Sequence, residues 1–266
     1  MTVQFGEVNV DGMRISYDRA GQGAPIVFLH GYVGDRRTWG PQLEDLADEY
    51  TVVAWDGPGS GRSTDPPESF TLADFADALA AFIDVVGLER PHVVGLSFGG
   101  GLALELYRRH PQLPRTLVLA GAYAGWRGSL PDDVVAFRLE QALELSKLPP
   151  DELVDAIVPT LFASTTPAEL VDEFAATLRE FHPVGFRAMA RSFAEADLRD
   201  VLPRIAVPTL LISGDEDVRA PLDVAHELHA AIPDSTLVVL PGAGHASNLD
   251  DPGGFNRALR AFLRGH

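Results

Sequence analysis

Gly95-Leu96-Ser97-Phe98-Gly99 has the GxSxG spacing in which a serine rides a sharp turn between a strand and a helix. Its surroundings agree, because the apolar run His92-Val93-Val94 precedes it and helical spacing from Phe98 to His110 follows. Glycines flank the serine where side chains would collide with neighbouring backbone, which makes Ser97 the candidate nucleophile. An isolated five-residue match also fits a glycine-rich turn that only packs a helix close to a strand, so the rest of the chain must decide. A serine hydroxyl attacks poorly at neutral pH. It needs a general base, and that base needs a carboxylate to hold its tautomer and orientation.

Two later loops can supply them. Gly214-Asp215-Glu216-Asp217 follows the apolar run Thr209-Leu210-Leu211-Ile212, and Pro241-Gly242-Ala243-Gly244-His245 follows Leu237-Val238-Val239-Leu240. Both lie just beyond strand C-termini, the edge where open α/β sheets keep their sites. Six of the eight histidines have structural readings: His92 opens a strand, His110 ends a helix beside Pro111, His182 precedes Pro183, His226 and His229 sit on a surface helix, and His266 is terminal. His30, directly after a strand and before Gly31, reads as a loop brace beside a pocket; His245 is the base candidate. Asp215, Glu216 and Asp217 compete as the acid, and spacing does not choose among them. The glycine-rich stretch Asp56 to Ser63 lacks both the lysine of a phosphate-binding loop and a GxGxxG register, so it is expected to form a tight turn beside the site.

The elements that must position these residues follow from periodicity. Val8 and Val10 precede Asp11-Gly12, and Met13, Ile15 and Tyr17 follow at period two, the pattern of a β-hairpin. Six short apolar runs predict strands buried on both faces: Ile26 to Leu29, Thr51 to Trp55, His92 to Val94, Thr116 to Leu119, Thr209 to Ile212 and Leu237 to Leu240. Helical patterns run over Leu43 to Tyr50, Thr71 to Val86, Phe98 to His110, Leu222 to Ala231 and Gly254 to Leu263, with Thr71-Leu72-Ala73-Asp74 close to a capping box. Strands alternating with helices give the α/β class, a mostly parallel sheet covered on both faces. Between the strand run ending near Ala120 and the one starting near Thr209 lies a long interval with helical patterning and no strand signal, too long for a plain connection. It reads as an inserted cap over residues 123–200, about four short helices punctuated by Pro131, Pro149-Pro150, Pro167 and Pro183, between core segments 1–122 and 201–266.

Composition bounds the function. The 266 residues carry 21 Lys plus Arg against 38 Asp plus Glu, a formal charge of −17, which reverses the phosphate attraction that nucleic-acid binding needs. No cysteine is present, so thiolate nucleophiles, disulfides and cysteine-based metal sites are excluded. The chemistry must use oxygen and nitrogen, and neither a metal nor a cofactor is called for. The start of the chain alternates apolar and polar residues without a basic opening or an apolar block, and no run approaches membrane-helix length. A cytoplasmic protein with a small-molecule substrate, no nucleic acid and no membrane partner is the expectation, with oligomeric state left open.

The order Ser97, acid, His245 and the landmarks around it resemble the α/β-hydrolase superfamily. The resemblance spans His30-Gly31 after the third strand, Asp56-Gly57-Pro58-Gly59-Ser60-Gly61-Arg62-Ser63 after the fourth, the serine turn, the cap after the sixth, a GxxD loop and a GxxH loop. It implies Asp217 as the acid with Asp215 in reserve, and an oxyanion hole formed by the backbone N–H groups of Tyr32 and Phe98. It also implies a serine hydrolase, independent of cofactors, that cleaves a small apolar carboxylic ester or lactone. Phe98, Tyr123 and Trp126, with His30 near them, are the expected pocket, and Arg127 or Arg191 could bring a positive charge to it. From Gly185 onward the chain looks like the enol-lactone hydrolases, in Ala196-Asp197-Leu198, Pro208-Thr209-Leu210, Asn248-Leu249 and Pro252. It departs from them at Phe98, where Met is common, and after Asp56, where they carry arginine. Perhydrolases and carbon–carbon bond hydrolases share the same layout, and some members of the fold bind a ligand without turnover. Dehalogenases and epoxide hydrolases use an aspartate nucleophile, against which Ser97 argues.

Overall fold

Eight strands form one sheet in the order β1-β2-β4-β3-β5-β6-β7-β8 in the computed structural model, which describes residues 2–266. Strands β1 (Gln4–Val10) and β2 (Met13–Ala20) make the antiparallel hairpin. Its turn places Asp11 at φ 49° and Gly12 at φ 86°, the doubly positive geometry that Asp-Gly favours. Then follow β3 (Pro25–Leu29), α1 (Gly40–Leu46), β4 (Thr51–Trp55), α2 (Leu72–Val85), β5 (His92–Leu96), α3 (Phe98–Arg109) and β6 (Thr116–Ala120). The interval after β6 holds α4 (Asp132–Leu145), α5 (Pro150–Ile157), α6 (Ala168–Arg179) and α7 (Pro183–Glu195). The chain closes with β7 (Thr209–Gly214), α8 (Leu222–Ala231), β8 (Ser235–Leu240), α9 (Ser247–Asp250) and α10 (Pro252–Leu263). From β4 to β8 every pairing is parallel; β2 joins β4 antiparallel.

Period two divides the apolar strand residues between two layers. Val27, Leu29, Val93, Leu117, Leu119 and Leu211 belong to the core shared with Phe75 and Leu79 of α2 and Leu102 and Leu106 of α3. Their neighbours Ile26, Phe28, Val94, Val118, Leu210 and Ile212 pack instead with Leu43 and Leu46 of α1 and Phe255 and Leu259 of α10. Helix α2 begins at a full capping box: Thr71 Oγ1 accepts the Asp74 N–H at 3.2 Å while an Asp74 carboxylate oxygen accepts the Thr71 N–H at 2.8 Å.

Three expectations need correction. The run Leu237 to Leu240 is not buried on both faces, because β8 is the sheet's edge: Leu237 and Val238 are half-buried, Val239 is 36% exposed and only Leu240 is buried. Periodicity within four apolar residues does not distinguish an edge from an interior strand. The helix expected over Leu43 to Tyr50 starts earlier, with Pro41 preset for its first turn, and ends at Leu46. The last helix likewise begins at Pro252, where Asp251 accepts the Gly254 N–H.

The helices between β6 and β7 cover the C-terminal edge of the sheet. Helix α7 buries Phe186, Met189 and Phe193, and its Gly185 lies so close to Gly59 that a Cβ on Gly59, itself at φ 79°, would come within 2.3 Å of the Gly185 Cα. The glycine-rich stretch thus docks these helices backbone against backbone. It is braced from below by Asp56, whose carboxylate accepts the N–H groups of Arg36 and Arg62 and pairs with the Arg36 guanidinium at 2.7 Å.

Candidate active site

Ser97 sits between β5 and α3 with φ 55° and ψ −114°, a conformation that an L-residue adopts only under constraint. The constraint is close packing. A Cβ on Gly95 would lie 2.2 Å from the Gly99 carbonyl oxygen, and one on Gly99 would lie 2.2 Å from that of Leu29. Only glycine allows α3 to start so near β3 and β5. The Ser97 N–H donates to Ala120 O at 2.8 Å, and its own carbonyl accepts the N–H groups of Gly100 and Gly101, which anchors the turn from both sides.

His245 leaves β8 five residues past its end, and its Nδ1 is 2.8 Å from Asp217 Oδ2. The pair is buried, the two side chains being 5% and 1% exposed. Asp217 Oδ1 accepts the backbone N–H groups of Arg219 and Ala220, each at 2.8 Å, so the carboxylate carries three hydrogen bonds and its orientation is locked. A carboxylate that accepts at Nδ1 leaves the proton there and frees Nε2 as a base. Asp215 turns elsewhere: it is exposed and accepts the Gly242 N–H at 2.6 Å, tying the acid loop to the turn after β8. Glu216 is exposed as well. The His245 loop has a second support absent from the sequence reading. Asp250 accepts the Gly244 N–H at 2.6 Å and the Ala163 N–H at 3.3 Å, and Ala246 donates to Leu161 O, which joins the loop to the segment after α5. Burial pushes the Asp250 carboxyl up, against the hydrogen bonds that it accepts.

Ser97 and His245 line one cavity with Tyr32, Leu161, Phe174 and Arg219. Neither the Tyr32 N–H nor the Phe98 N–H meets an acceptor among the described residues. The Phe98 ring points away into the core, edge-on to Phe75 and Phe193 at 5.5 and 5.6 Å. The cavity beside the serine measures only about 20 Å³, room for about one water. A second, larger space of about 220 Å³ adjoins it, lined by Trp126, Arg138, Gln141 and Thr160 among others. Tyr32 and Arg219 line both and form the wall between them.

The expected pocket residues divide. Trp126 lines the outer space, 6.3 Å from the Tyr32 ring. His30 does not reach either space: it is 2% exposed, its Nδ1 is 2.7 Å from Gly31 O, and its Nε2 accepts the Gly57 N–H at 2.9 Å. Those partners require a neutral ring with the proton on Nδ1, a brace between the loops after β3 and β4. Tyr123 also lies behind the wall, its hydroxyl donating to Arg219 O at 2.5 Å, and burial holds its phenol above the usual range. The pocket cation is neither Arg127, which is exposed, nor Arg191, which pairs with Glu68 at 2.6 Å. Arg138 and Arg219 line the outer space instead, and the Arg219 guanidinium meets the Tyr32 hydroxyl, donates to Thr160 Oγ1 at 2.7 Å and lies 5.7 Å from the Tyr32 ring centroid. The only sequence signal of Arg219 was its place two residues after the acid, where the backbone turns back to hydrogen-bond that acid.

Residues 24–252 match the family model described as alpha/beta hydrolase fold, and the chain belongs to that family. Among curated relatives it is 34% identical to the protein of Pseudomonas syringae named for carbamate hydrolysis, RutD, over 90% of this chain and 93% of that one. Among solved structures it resembles an esterase from Thermogutta terrifontis, with a TM-score of 0.90 and 27% identity over 98% of each chain. The enol-lactonase from Burkholderia xenovorans is similar to a like degree, with a TM-score of 0.89 and 25% identity over 97% of this chain and all of that one. No helix among the described residues is long and apolar enough to cross a membrane.

Proposed function

We propose that this hydrolase cleaves small carboxylic esters or lactones through an acyl-enzyme, with Ser97 as nucleophile, His245 as base and Asp217 as the group that orients it. The observation that carries the reading is the buried His245–Asp217 bond of 2.8 Å in the loop that shares a cavity with a serine held at positive φ. Ser97 Oγ bonds to the carbonyl carbon as its proton passes to His245 Nε2, and the carbonyl electron pair moves onto oxygen. The N–H groups of Tyr32 and Phe98 receive that oxyanion, a contribution typically worth a hundred- to a thousandfold in rate per donor. The oxygen pair re-forms the carbonyl, the bond to the alkoxy oxygen breaks, and His245 returns the proton to that oxygen. Water, deprotonated by the same histidine, then attacks the acyl carbon; the bond to Ser97 Oγ breaks, His245 returns the proton to that oxygen, and the acid leaves. In a lactone both products stay on one molecule.

The relative named for carbamate hydrolysis supports a second reading for the same machinery; a carbamate ester would offer Ser97 a carbonyl that its attached nitrogen makes less electrophilic than an ordinary ester's. A binding protein without turnover is the alternative of another class, and the strained serine counts against it. Residues in sparsely populated backbone regions cost about 1–3 kcal/mol each and persist mainly where a site uses them.

Labelling with a fluorophosphonate, read by intact mass on wild type and Ser97→Ala, tests the reading together with turnover of aryl esters, simple lactones and aryl carbamates. The expected result is one adduct that the mutant lacks, with turnover lost in parallel. A wild type that takes no label and turns over none of the panel would refute it.

A further inference from the structure

The outer space holds two cations without a carboxylate partner. Arg219 binds only neutral oxygens, those of Tyr32 and Thr160. Arg138, projecting from α4, donates to the Tyr123 hydroxyl and to the Arg219 carbonyl, each at 3.2 Å, and its guanidinium lies 5.4 Å from the Tyr123 ring centroid. Neither guanidinium lies within ion-pair distance of a carboxylate among the described residues. Asp217, nearby, is committed to His245 and to backbone N–H groups. By contrast Arg36, Arg37, Arg108, Arg187 and Arg260 each pair with an acid, in a chain of net charge −17. Both groups are only partly exposed, so solvent compensates them incompletely.

We infer that Arg138 and Arg219 form an anion-binding subsite at the mouth of the cleft, and that the substrate carries a carboxylate on the part remote from the scissile bond. The inference rests on the hydrolase reading for the scissile end alone. Its physical basis is the arrangement of the two spaces. Arg219 lines the chamber of Ser97 and the outer space of about 220 Å³ at once, so an anion held there keeps its attached chain pointed across the Tyr32–Arg219 wall toward the serine. Guanidinium forks suit the paired oxygens of a carboxylate, which can bind in parallel to both nitrogens. The acyl chain between the ester carbonyl and the carboxylate would lie along Trp126 and Tyr32, the apolar surfaces of that path. An anion also has reason to displace Arg219 from the Tyr32 hydroxyl, which would enlarge a chamber otherwise limited to about 20 Å³.

The test compares monomethyl glutarate with methyl pentanoate, esters of similar length that differ in the terminal charge, in wild type, Arg138→Gln, Arg219→Gln and Arg219→Lys. Wild type is expected to favour the anionic ester in kcat/KM by on the order of tenfold or more, and each glutamine variant to lower that ratio by about tenfold to a hundredfold, with Arg219→Lys keeping part of it. A wild-type ratio at or below one, or a ratio that survives both glutamine substitutions, would overturn the assignment. Calorimetric titration of glutarate into the Ser97→Ala protein separates this from the ester chemistry, because it needs no turnover. Binding there that weakens in the added Arg138→Gln change supports the subsite even where no ester is cleaved. Absence of glutarate binding removes it even where esters are cleaved well.

Discussion

Asp217→Asn isolates what the buried carboxylate contributes. The substitution keeps an oxygen able to accept the Arg219 and Ala220 N–H groups, so the loop should hold its shape. It places an amide where Oδ2 now faces His245 Nδ1 at 2.8 Å, and an amide N–H donor there turns the ring to the tautomer protonated at Nε2, which cannot accept the serine proton. The electrostatic loss can be bounded. As the reaction proceeds the histidine becomes a cation, and unit charges about 4 Å apart at an effective dielectric of about 20 attract by about 4 kcal/mol. At about 1.4 kcal/mol per decade this is roughly a thousandfold in kcat, and the tautomer penalty can only add to it. Because Asp217 does not line the cavity, the loss is expected in kcat rather than KM. The assay is kcat and KM for an aryl ester that wild type turns over, with the rate of fluorophosphonate labelling as a check that the nucleophile itself is affected. Asp215→Asn is the control, since Asp215 holds the Gly242 N–H and should change turnover only a few-fold. An Asp217→Asn enzyme within tenfold of wild type would refute the reasoning.

Two stability predictions follow from the same geometry. Ser97→Gly should unfold at a higher temperature than Ser97→Ala: glycine relieves the strain at φ 55°, about 1–3 kcal/mol, against an entropic loss of roughly 0.5–1 kcal/mol, whereas alanine keeps the Cβ and the strain. Scanning calorimetry reads the difference, and an alanine variant at least as stable as the glycine one would show that the serine turn is relaxed. His92, buried beside Thr116 Oγ1 at 2.8 Å, has its pKa lowered from 6.5 to about 4, by burial first and then by the charges of Arg115 and His266. The unfolded chain takes up this proton below about pH 6.5 and the native state only near 4, so stability is full above 6.5 and falls as pH drops toward 4, by roughly 3 kcal/mol in all. Urea midpoints at pH 7 and 4.5 should fall less in His92→Gln, and equal falls in both proteins would contradict the assignment.

How far the site could be read before folding differs residue by residue. Ser97 was legible because a strand, a glycine-flanked serine and a helix start occur within a dozen residues, and strand periodicity and turn chemistry act at that range. The capping box at Thr71 and the Asp-Gly hairpin turn were legible for the same reason. The acid was not, since Asp215, Glu216 and Asp217 are consecutive and differ only in which way the loop turns them. The structure brings Asp217 against His245 and sends Asp215 to Gly242. His30 was legible in part: its place after a strand and before Gly31 gave the loop brace, but not its second partner Gly57, 27 residues away, nor that it lies outside the pocket.

By itself the sequence determined the alternation of strands and helices, the long helical interval after the sixth strand, the order of serine, acid and histidine, and the exclusion of thiol chemistry. Each depends on local periodicity, on turn chemistry or on composition, which a chain carries whatever its neighbours. Tertiary structure alone decided that β8 is an edge, that Asp250 braces the histidine loop from the segment after α5, and that Arg138 and Arg219, not Arg127 or Arg191, face the cleft. The first depends on the order in which the strands pair, the other two on which surfaces meet when α4 to α7 close over the sheet. Arg138 and Arg219 stand 81 residues apart and become neighbours only through that closure, so nothing in either one's local sequence distinguishes it from the arginines that pair with acids at the surface.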